Sequence, residues 1–146
     1  MLNSLINGIA IKLRETFGSE YKIHREDVEQ GLKEPCFIIQ IVEPMQSAKL
    51  PNRYLRQYSF DVLYFPKSTS KPKYEMYDVA EKLLIELEYV TVNQNNIDNL
   101  VRGTKMQYEI VDNVLHFFVN YDFFVKKDTI KKDFMEDLTI KPIAED

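Results

Sequence analysis

The stretch TKMQYEIVDNVLHFFVNYDFFV, residues 104 to 125, alternates apolar and polar side chains on either side of a short polar turn. A period of two residues is typical of a β-strand with one buried face. The turn is Asp112-Asn113, a pair that tolerates the positive φ angles of a tight hairpin. The stretch therefore predicts two antiparallel strands that share one apolar face. The apolar positions of the second strand are Leu115, Phe117, Val119, Tyr121, Phe123 and Val125.

The length of this turn also predicts the register of the hairpin. A loop of two residues sets the first strand against the second so that both apolar sets lie on the same side. A slip of one residue would expose all of them, which makes the register specific. The predicted cross-strand pairs are Ile110–Leu115, Tyr108–Phe117 and Met106–Val119.

Two helices and four further strands are predicted outside the hairpin. Apolar residues recur at helical spacing from Leu2 to Phe17, and again from Tyr77 to Leu87 in a segment that begins near Pro72. The other strand candidates are Tyr21–Arg25, Cys36–Val42, a segment ending at Phe65 and Tyr89–Val92. Residues Glu43–Arg53 and Asn93–Gly103 are interpreted as long connections, because proline or asparagine interrupts the apolar pattern in each.

This order of elements predicts an α+β fold, with a mainly antiparallel sheet and two helices packed on one face. A chain of 146 residues is long enough for one domain with a substantial core. We assign residues 1–126 to this single domain. Residues 127–146, which follow the last predicted strand, are interpreted as a C-terminal arm.

Composition argues against several classes of protein. The net charge of −4 disfavours a free-standing nucleic-acid binder, because such proteins need a basic surface. Cys36 is the only cysteine, so no internal disulfide can form and nothing suggests secretion. No apolar run approaches the length of a membrane span. We expect a soluble protein made inside a cell, with no membrane partner.

The search for catalytic or metal-binding chemistry gives no positive pattern. Cys36, His24 and His116 are single residues on separate elements, whereas metal sites usually contain closely spaced ligand pairs. Cys36 opens an apolar strand, which predicts a buried structural thiol. The four glycines are scattered, so no phosphate-binding loop is indicated. We therefore expect no enzyme activity, no cofactor and no metal.

Three features predict contacts with other subunits. The last strand carries Phe118 and Phe124 on its second face, beside His116. The Glu43–Arg53 connection and the C-terminal arm contain apolar residues with no obvious place in a single subunit. Together these features favour an oligomer. The candidate inter-subunit contacts are Met45, Leu50, Phe134, Met135 and Leu138.

Several segments occur in the order seen in one family of phage proteins. The run QGLKEPCF, residues 30–37, is followed by DVLYFP at 61–66 and by DNVLHF at 112–117. With the opening helix, which carries Asn7-Gly8-Ile9, this ordered set resembles tail terminator proteins of long-tailed phages and prophages from Gram-positive bacteria. The resemblance extends to about Val125. Within the first run, Gly31 is predicted to adopt a backbone conformation that other residues avoid.

The resemblance implies a structural role in the virion. Proteins of this family form a ring, usually a hexamer, on the head-proximal end of the tail tube, where they end tube polymerisation. The ring provides the docking surface for the neck or connector protein and, in contractile tails, also contacts the sheath protein. Genomic DNA would pass through the ring without specific binding. Localisation in the virion tail, after synthesis in the host cytoplasm, follows from this role.

Two alternatives stay open at the level of sequence. One is another head–tail connector or tail-completion protein. The other, of a different class, is a small cellular α+β ligand-binding domain or enzyme. The mass of the protein in solution would separate a ring-forming subunit from a stable monomer that binds a metabolite.

Overall fold

A computed structural model of the chain describes residues 1–25, 31–68 and 70–126, except for the side chains of residues 43, 45, 47–50, 125 and 126. None of the helices in this described part is long and apolar enough to cross a membrane. The elements, in chain order, are α1 (Leu2–Phe17), β1 (Lys22–His24), β2 (Cys36–Leu50), β3 (Arg53–Phe65), α2 (Pro72–Glu86), β4 (Tyr89–Gln94), β5 (Ile97–Val111) and β6 (Val114–Lys126).

The six strands form one sheet in the order β1-β2-β3-β6-β5-β4. Strand β1 runs parallel to β2, whereas the β4–β5 and β5–β6 pairs are antiparallel. The sheet is mostly antiparallel and curled, and both helices pack on it. The predicted α+β class is confirmed.

The chain divides into two compact units. The first comprises Met1–Met45 and Gln57–Phe123 and contains both helices and the hydrophobic core. Of the described residues, the second comprises Gln46–Arg56 and the end of β6 from Phe124. Within this second unit, the Arg56 side chain donates a hydrogen bond from Nε to Gln46 Oε1 at 2.6 Å. The predicted boundary between a domain and an arm after residue 126 falls at the end of the described residues and stays a prediction.

The core of the first unit is built on the inner face of β6. Leu115, Phe117, Val119 and Tyr121 are all fully buried, as the period of two predicted. The Tyr121 hydroxyl, buried with them, donates to the Leu87 carbonyl at 2.7 Å. Around this row pack further buried side chains from both helices and from β2, β3 and β4: Leu5, Ile9, Leu13, Phe37, Ile39, Phe60, Val62, Tyr64, Met76, Val79, Leu83, Val90 and Val92.

The turn of the β5–β6 hairpin has the predicted conformation and sets most of the predicted register. Asp112 and Asn113 have φ angles of 52° and 61°. The pairs Ile110–Leu115 and Tyr108–Phe117 are both formed. The regular ladder is then interrupted between Thr104 and Gln107. The predicted Met106–Val119 pair is therefore wrong as a simple pair, because a bulge with Lys105 at φ 52° adds one residue to β5 here.

The predicted Glu43–Arg53 connection is wrong. Strand β2 continues to Leu50 and β3 begins at Arg53, so only two residues separate them. The prediction ended the strand near Pro44, because proline has no N–H group to donate to the hydrogen bonds of a strand ladder. However, β2 is paired with β1 only over Cys36–Ile38. Beyond this point the edge of β2 that faced β1 no longer has β1 as a partner, and proline is tolerated at such an edge.

The predicted Asn93–Gly103 loop is also wrong. Strand β4 extends to Gln94 and β5 begins at Ile97, with Asn95 and Asn96 between them at φ 54° and 62°. Asparagine is one of the few residues that adopt positive φ readily, and two consecutive ones form a tight hairpin turn. The asparagine-rich segment is thus a second hairpin. The prediction for Gly31 is confirmed by its φ of 79°.

Helix α1 covers the free edge of β4. In the ladder with β5, Thr91 lies opposite Leu100, four residues before the Asn95-Asn96 turn. In a hairpin with a two-residue loop, the backbone polar groups at this position point away from the partner strand. The Thr91 carbonyl oxygen lies only 2.4 Å from where a Cβ atom on Gly8 of α1 would be. Glycine therefore lets the helix approach the strand edge.

The loop between β3 and α2 is fixed by one carboxylate. Glu75 accepts hydrogen bonds from the backbone amides of Lys67 and Ser68, both at 2.7 Å, and from the Tyr64 hydroxyl. Burial, followed by this hydrogen bond, raises the pKa of Tyr64, so the hydroxyl stays protonated and acts as a donor. Glu75 thus connects the end of the buried strand to the first turn of the helix.

We predict that Phe117→Ala lowers the free energy of unfolding by about 3–5 kcal/mol, because it removes a fully buried ring and leaves a cavity. Phe124→Ala is the matched control, since Phe124 lies on the same strand but is 65% exposed. Urea denaturation followed by circular dichroism measures both. Equal stability of the two variants would contradict the assignment of the buried face.

We also predict that Gly8→Ala destabilises the protein, although alanine favours helix by about 1 kcal/mol over glycine. The added methyl group would collide with the Thr91 carbonyl and force α1 away from β4. Asn3→Ala, at an exposed position of the same helix, is the control for helix propensity. A rise in the melting temperature of Gly8→Ala would show that the close approach has no energetic consequence.

Candidate functional site

The side chains of the five residues predicted to contact other subunits all lie outside the described part of the structure. Met45 and Leu50 lie on β2, in a strand rather than the predicted connection, and their side chains are outside the described part. Phe134, Met135 and Leu138 all lie outside the described residues. Their role in assembly stays a prediction.

The second face of β6 contains the aromatic residues noted in the sequence. Phe118 is half-buried and stacks on His116, with ring centroids 6.3 Å apart and planes inclined by 16°. Phe124, further along the strand, is exposed. This face is therefore partly covered within the subunit near His116 and is accessible near Phe124.

A partly buried contact between a histidine and a carboxyl group on this face was missed by sequence reasoning. His116 Nδ1 lies 2.8 Å from Oδ2 of Asp61, a residue of β3 that is only 8% exposed. Desolvation raises the pKa of Asp61, while the hydrogen bond and charge of His116 act to lower it and the charge of Glu109 raises it. The only signal in the sequence was a charged residue inside the apolar run Phe60-Asp61-Val62.

Nucleophilic and metal-binding side chains give the described residues little further chemistry. Burial, together with the charge of Glu34, raises the pKa of the Cys36 thiol to about 11, so the thiol is protonated at neutral pH and is a poor nucleophile. Cys36 is fully buried, which confirms the predicted structural thiol. Across residues 1–25, 31–68 and 70–126, no three His, Cys, Asp or Glu side chains cluster in a way that could hold a metal ion.

Two concave surfaces of the first unit lie along the exposed side of α1, and another, of about 290 Å³, lies between α2 and β5. The larger one, of about 520 Å³, lies between α1 and the β4–β5 hairpin and includes Asn7, Lys12, Thr91 and Asp98. The smaller one, of about 170 Å³, lies between α1 and β1. We call this smaller one the α1–β1 groove; it is lined by Ala10, Ile11, Arg14, Glu15, Ile23 and Arg25.

Both surfaces are open and contain charged side chains, which is unusual for a site that encloses a small molecule. Ile11, which contributes to both, is 56% exposed. An exposed aliphatic residue between charged groups is more typical of a protein contact than of a substrate pocket. The geometry thus favours binding of other proteins over chemistry on a small ligand.

We predict that the stability of the protein depends on pH through Asp61. A carboxyl whose pKa is raised by folding stabilises the fold at low pH, and this stability is lost as the pH rises through the raised pKa. Asp61→Asn retains an acceptor for His116 but cannot ionise. The ordinary pKa of this carboxyl is 3.8. As the pH rises above that value, the free energy of unfolding of the variant should increase relative to that of the parent. Urea unfolding at successive pH values measures this, and a difference that does not change with pH would contradict it.

Comparison with known proteins identifies the family. A family model described as phage tail terminator protein matches residues 4–133. A comparison with curated proteins gives no match. The family match includes all six strands, nearly all of α1 and the whole of α2, and it extends past Lys126 to residue 133.

This match covers most of the chain and confirms the resemblance of the ordered motifs to tail terminator proteins, while the Gram-positive host group stays a prediction. It also excludes the alternative of a cellular enzyme, because tail terminators are structural proteins of the phage virion. Their place in the tail implies contact with the tail tube. The chain is thus a structural component of a phage tail, and it belongs to the phage tail terminator protein family.

Proposed function

We propose that this protein forms a closed ring, a hexamer, on the head-proximal end of the tail tube. The ring ends tube polymerisation and provides the surface to which the neck or connector protein docks. In a contractile tail it also contacts the last layer of sheath protein. The observation that carries this proposal is the family match over residues 4–133.

A ring places a physical demand on the subunit that the sequence can satisfy. Each subunit needs two different lateral patches, because a closed ring is built from heterologous contacts. The proposed contacts are Met45 and Leu50 on β2 and Phe134, Met135 and Leu138 in the arm at residues 127–146. Burying one such side chain contributes roughly 1.5–3 kcal/mol, so a few at every interface would hold a ring together.

The charge of the protein suits a channel that DNA must traverse. The chain has a net charge of −4, so a ring of several copies has no net positive charge that would hold DNA. Like charges repel, and genomic DNA would pass such a ring without adhering to it. We therefore propose that DNA is cargo that moves through the ring and is not a specific ligand.

A different head–tail connector or tail-completion protein is the alternative function. It would join finished parts without controlling the length of the tube. Electron microscopy of tails made in the absence of this protein separates the two functions. Over-long tubes support termination, whereas tubes of normal length that fail to join heads support a connector.

We predict that deleting residues from Asp133 onward leaves a folded protein but impairs tail completion. Circular dichroism should show nearly unchanged helix and strand content, because the residues described in the core all precede the deletion. Phage tails made with this variant should be over-long, or normal in length but unable to join heads. Tails of normal length in infectious particles would show that the arm is dispensable.

A full-length variant tests the side chains of the arm separately from its length. Replacing Phe134, Met135 and Leu138 together with serine should reproduce the defect of the deletion. Thr139→Ala is the matched control within the same segment and should assemble normally. If the triple variant assembles normally while the deletion does not, the length of the arm matters and these apolar side chains do not.

A further inference from the structure

The charges of the chain are divided unevenly between its body and its end. Residues 1–132 contain 18 acidic and 18 basic residues, whereas the last 14 contain five acidic residues and one lysine. The whole net charge of −4 is therefore located in residues 133–146. We call these residues the acidic segment. They also contain the apolar residues Phe134, Met135, Leu138, Ile140 and Ile143.

A segment of this composition is suited to an apolar surface bordered by cations. Its apolar and acidic residues alternate closely, as in Phe134-Met135-Glu136-Asp137-Leu138. Apolar side chains gain free energy on burial, while carboxylates need a charge partner if they are removed from water. The family match ends at residue 133, so the acidic segment lies almost wholly beyond the part that defines the family.

The α1–β1 groove offers such a surface. Ile11 and Ile23 are its two larger aliphatic side chains, and Ile11 is 56% exposed. Arg14 and Arg25 are both exposed beside them. Within the described residues neither guanidinium has a carboxylate within salt-bridge distance, and Arg25 uses Nε to donate to Asn7 Oδ1 at 3.0 Å. Glu15 is the acidic residue among those lining the groove.

We propose that the α1–β1 groove binds the acidic segment of a neighbouring copy of this chain. Leu138 or its apolar neighbours would cover Ile11 and Ile23, and Glu136 and Asp137 would pair with Arg14 and Arg25. Arginine is well suited to this role, because its planar guanidinium binds a carboxylate through two hydrogen bonds. The inference rests on the proposed ring and assigns one of its two lateral patches.

The length of the arm allows this exchange between subunits. The 20 residues after Lys126 can span at most about 70 Å when fully extended. An arm on one subunit and a groove on the next form a heterologous contact, which repeats around a ring until it closes. If the acidic segment bound the groove of its own subunit, the contact would not join two subunits. We therefore place the segment in the groove of the neighbouring subunit.

Disulfide trapping in the full chain tests the contact directly. The double variant Ile11→Cys with Leu138→Cys should give, under mild oxidation, a ladder of covalently linked subunits on a non-reducing gel. The native Cys36 is fully buried and does not interfere. The matched control is Ile85→Cys with Leu138→Cys, since Ile85 on α2 is even more exposed, at 72%, and lies outside the groove.

The outcomes of this experiment are distinct. A ladder for the groove variant and background levels for the control support the proposal. A crosslinked monomer would show that the segment folds back on its own subunit, and equal ladders for both variants would show unspecific contact. Either result, or no crosslink at all, overturns the inference. The mass of the uncrosslinked protein, alone and with tail tubes, shows separately whether a ring forms, so the two proposals can fail independently.

Charge exchange tests the electrostatic part. Reversing Arg14 and Arg25 to glutamate should raise the protein concentration needed for half-maximal ring formation by about tenfold or more, because like charges then face each other. Combining this change with Glu136→Lys and Asp137→Lys should restore assembly. Reversing Lys71 and Lys73 on the α2 side to glutamate is the control for net charge. Equal weakening by the control, or no rescue by the combined variant, would overturn the pairing.

Discussion

The burial of alternate side chains along β6 is the constraint on which the rest of this structure depends. Strand β6 lies between β3 and β5, and its inner row from Leu115 to Tyr121 is fully removed from solvent. Buried side chains of both helices and of β2, β3 and β4 belong to the same hydrophobic cluster as this row. Because a strand has only two faces, fixing one of them also fixes which side chains form the surface of the other. The packing of the core thereby determines which groups are left for assembly.

The regular parts of the fold could be predicted from the sequence because their signals are local. The β5–β6 hairpin was found from its alternation and its Asp112-Asn113 turn, and both helices from their apolar spacing. The two wrong connections have a common cause. Pro44 and Asn95-Asn96 are residues that usually end strands, but here one lies where β2 no longer pairs with β1 and the others form a tight turn. For these residues, the position in the sheet outweighed the usual preference for ending a strand.

The candidate sites could be predicted far less well, and for a different reason. Asp61 and His116 are 55 positions apart and meet only because β3 and β6 are neighbours in the sheet. The α1–β1 groove likewise joins Ile11 to Ile23 and Arg25 through the packing of two elements. No spacing rule within the sequence predicts contacts between residues that are so far apart in the chain. Function was available from the sequence only through family resemblance, because a structural protein has no catalytic motif to detect.

The close fit of α1 against β4 has a consequence for how the subunit avoids unwanted assembly. An uncovered strand edge acts as a template on which further strands can be added, and this leads to uncontrolled aggregation. Gly8 allows the helix to lie against the Thr91 carbonyl, so this part of β4 is covered by α1. Growth by strand addition needs an open edge at each end of a sheet. With β4 covered near Thr91, strand addition at that position is disfavoured in a protein whose family ends polymers.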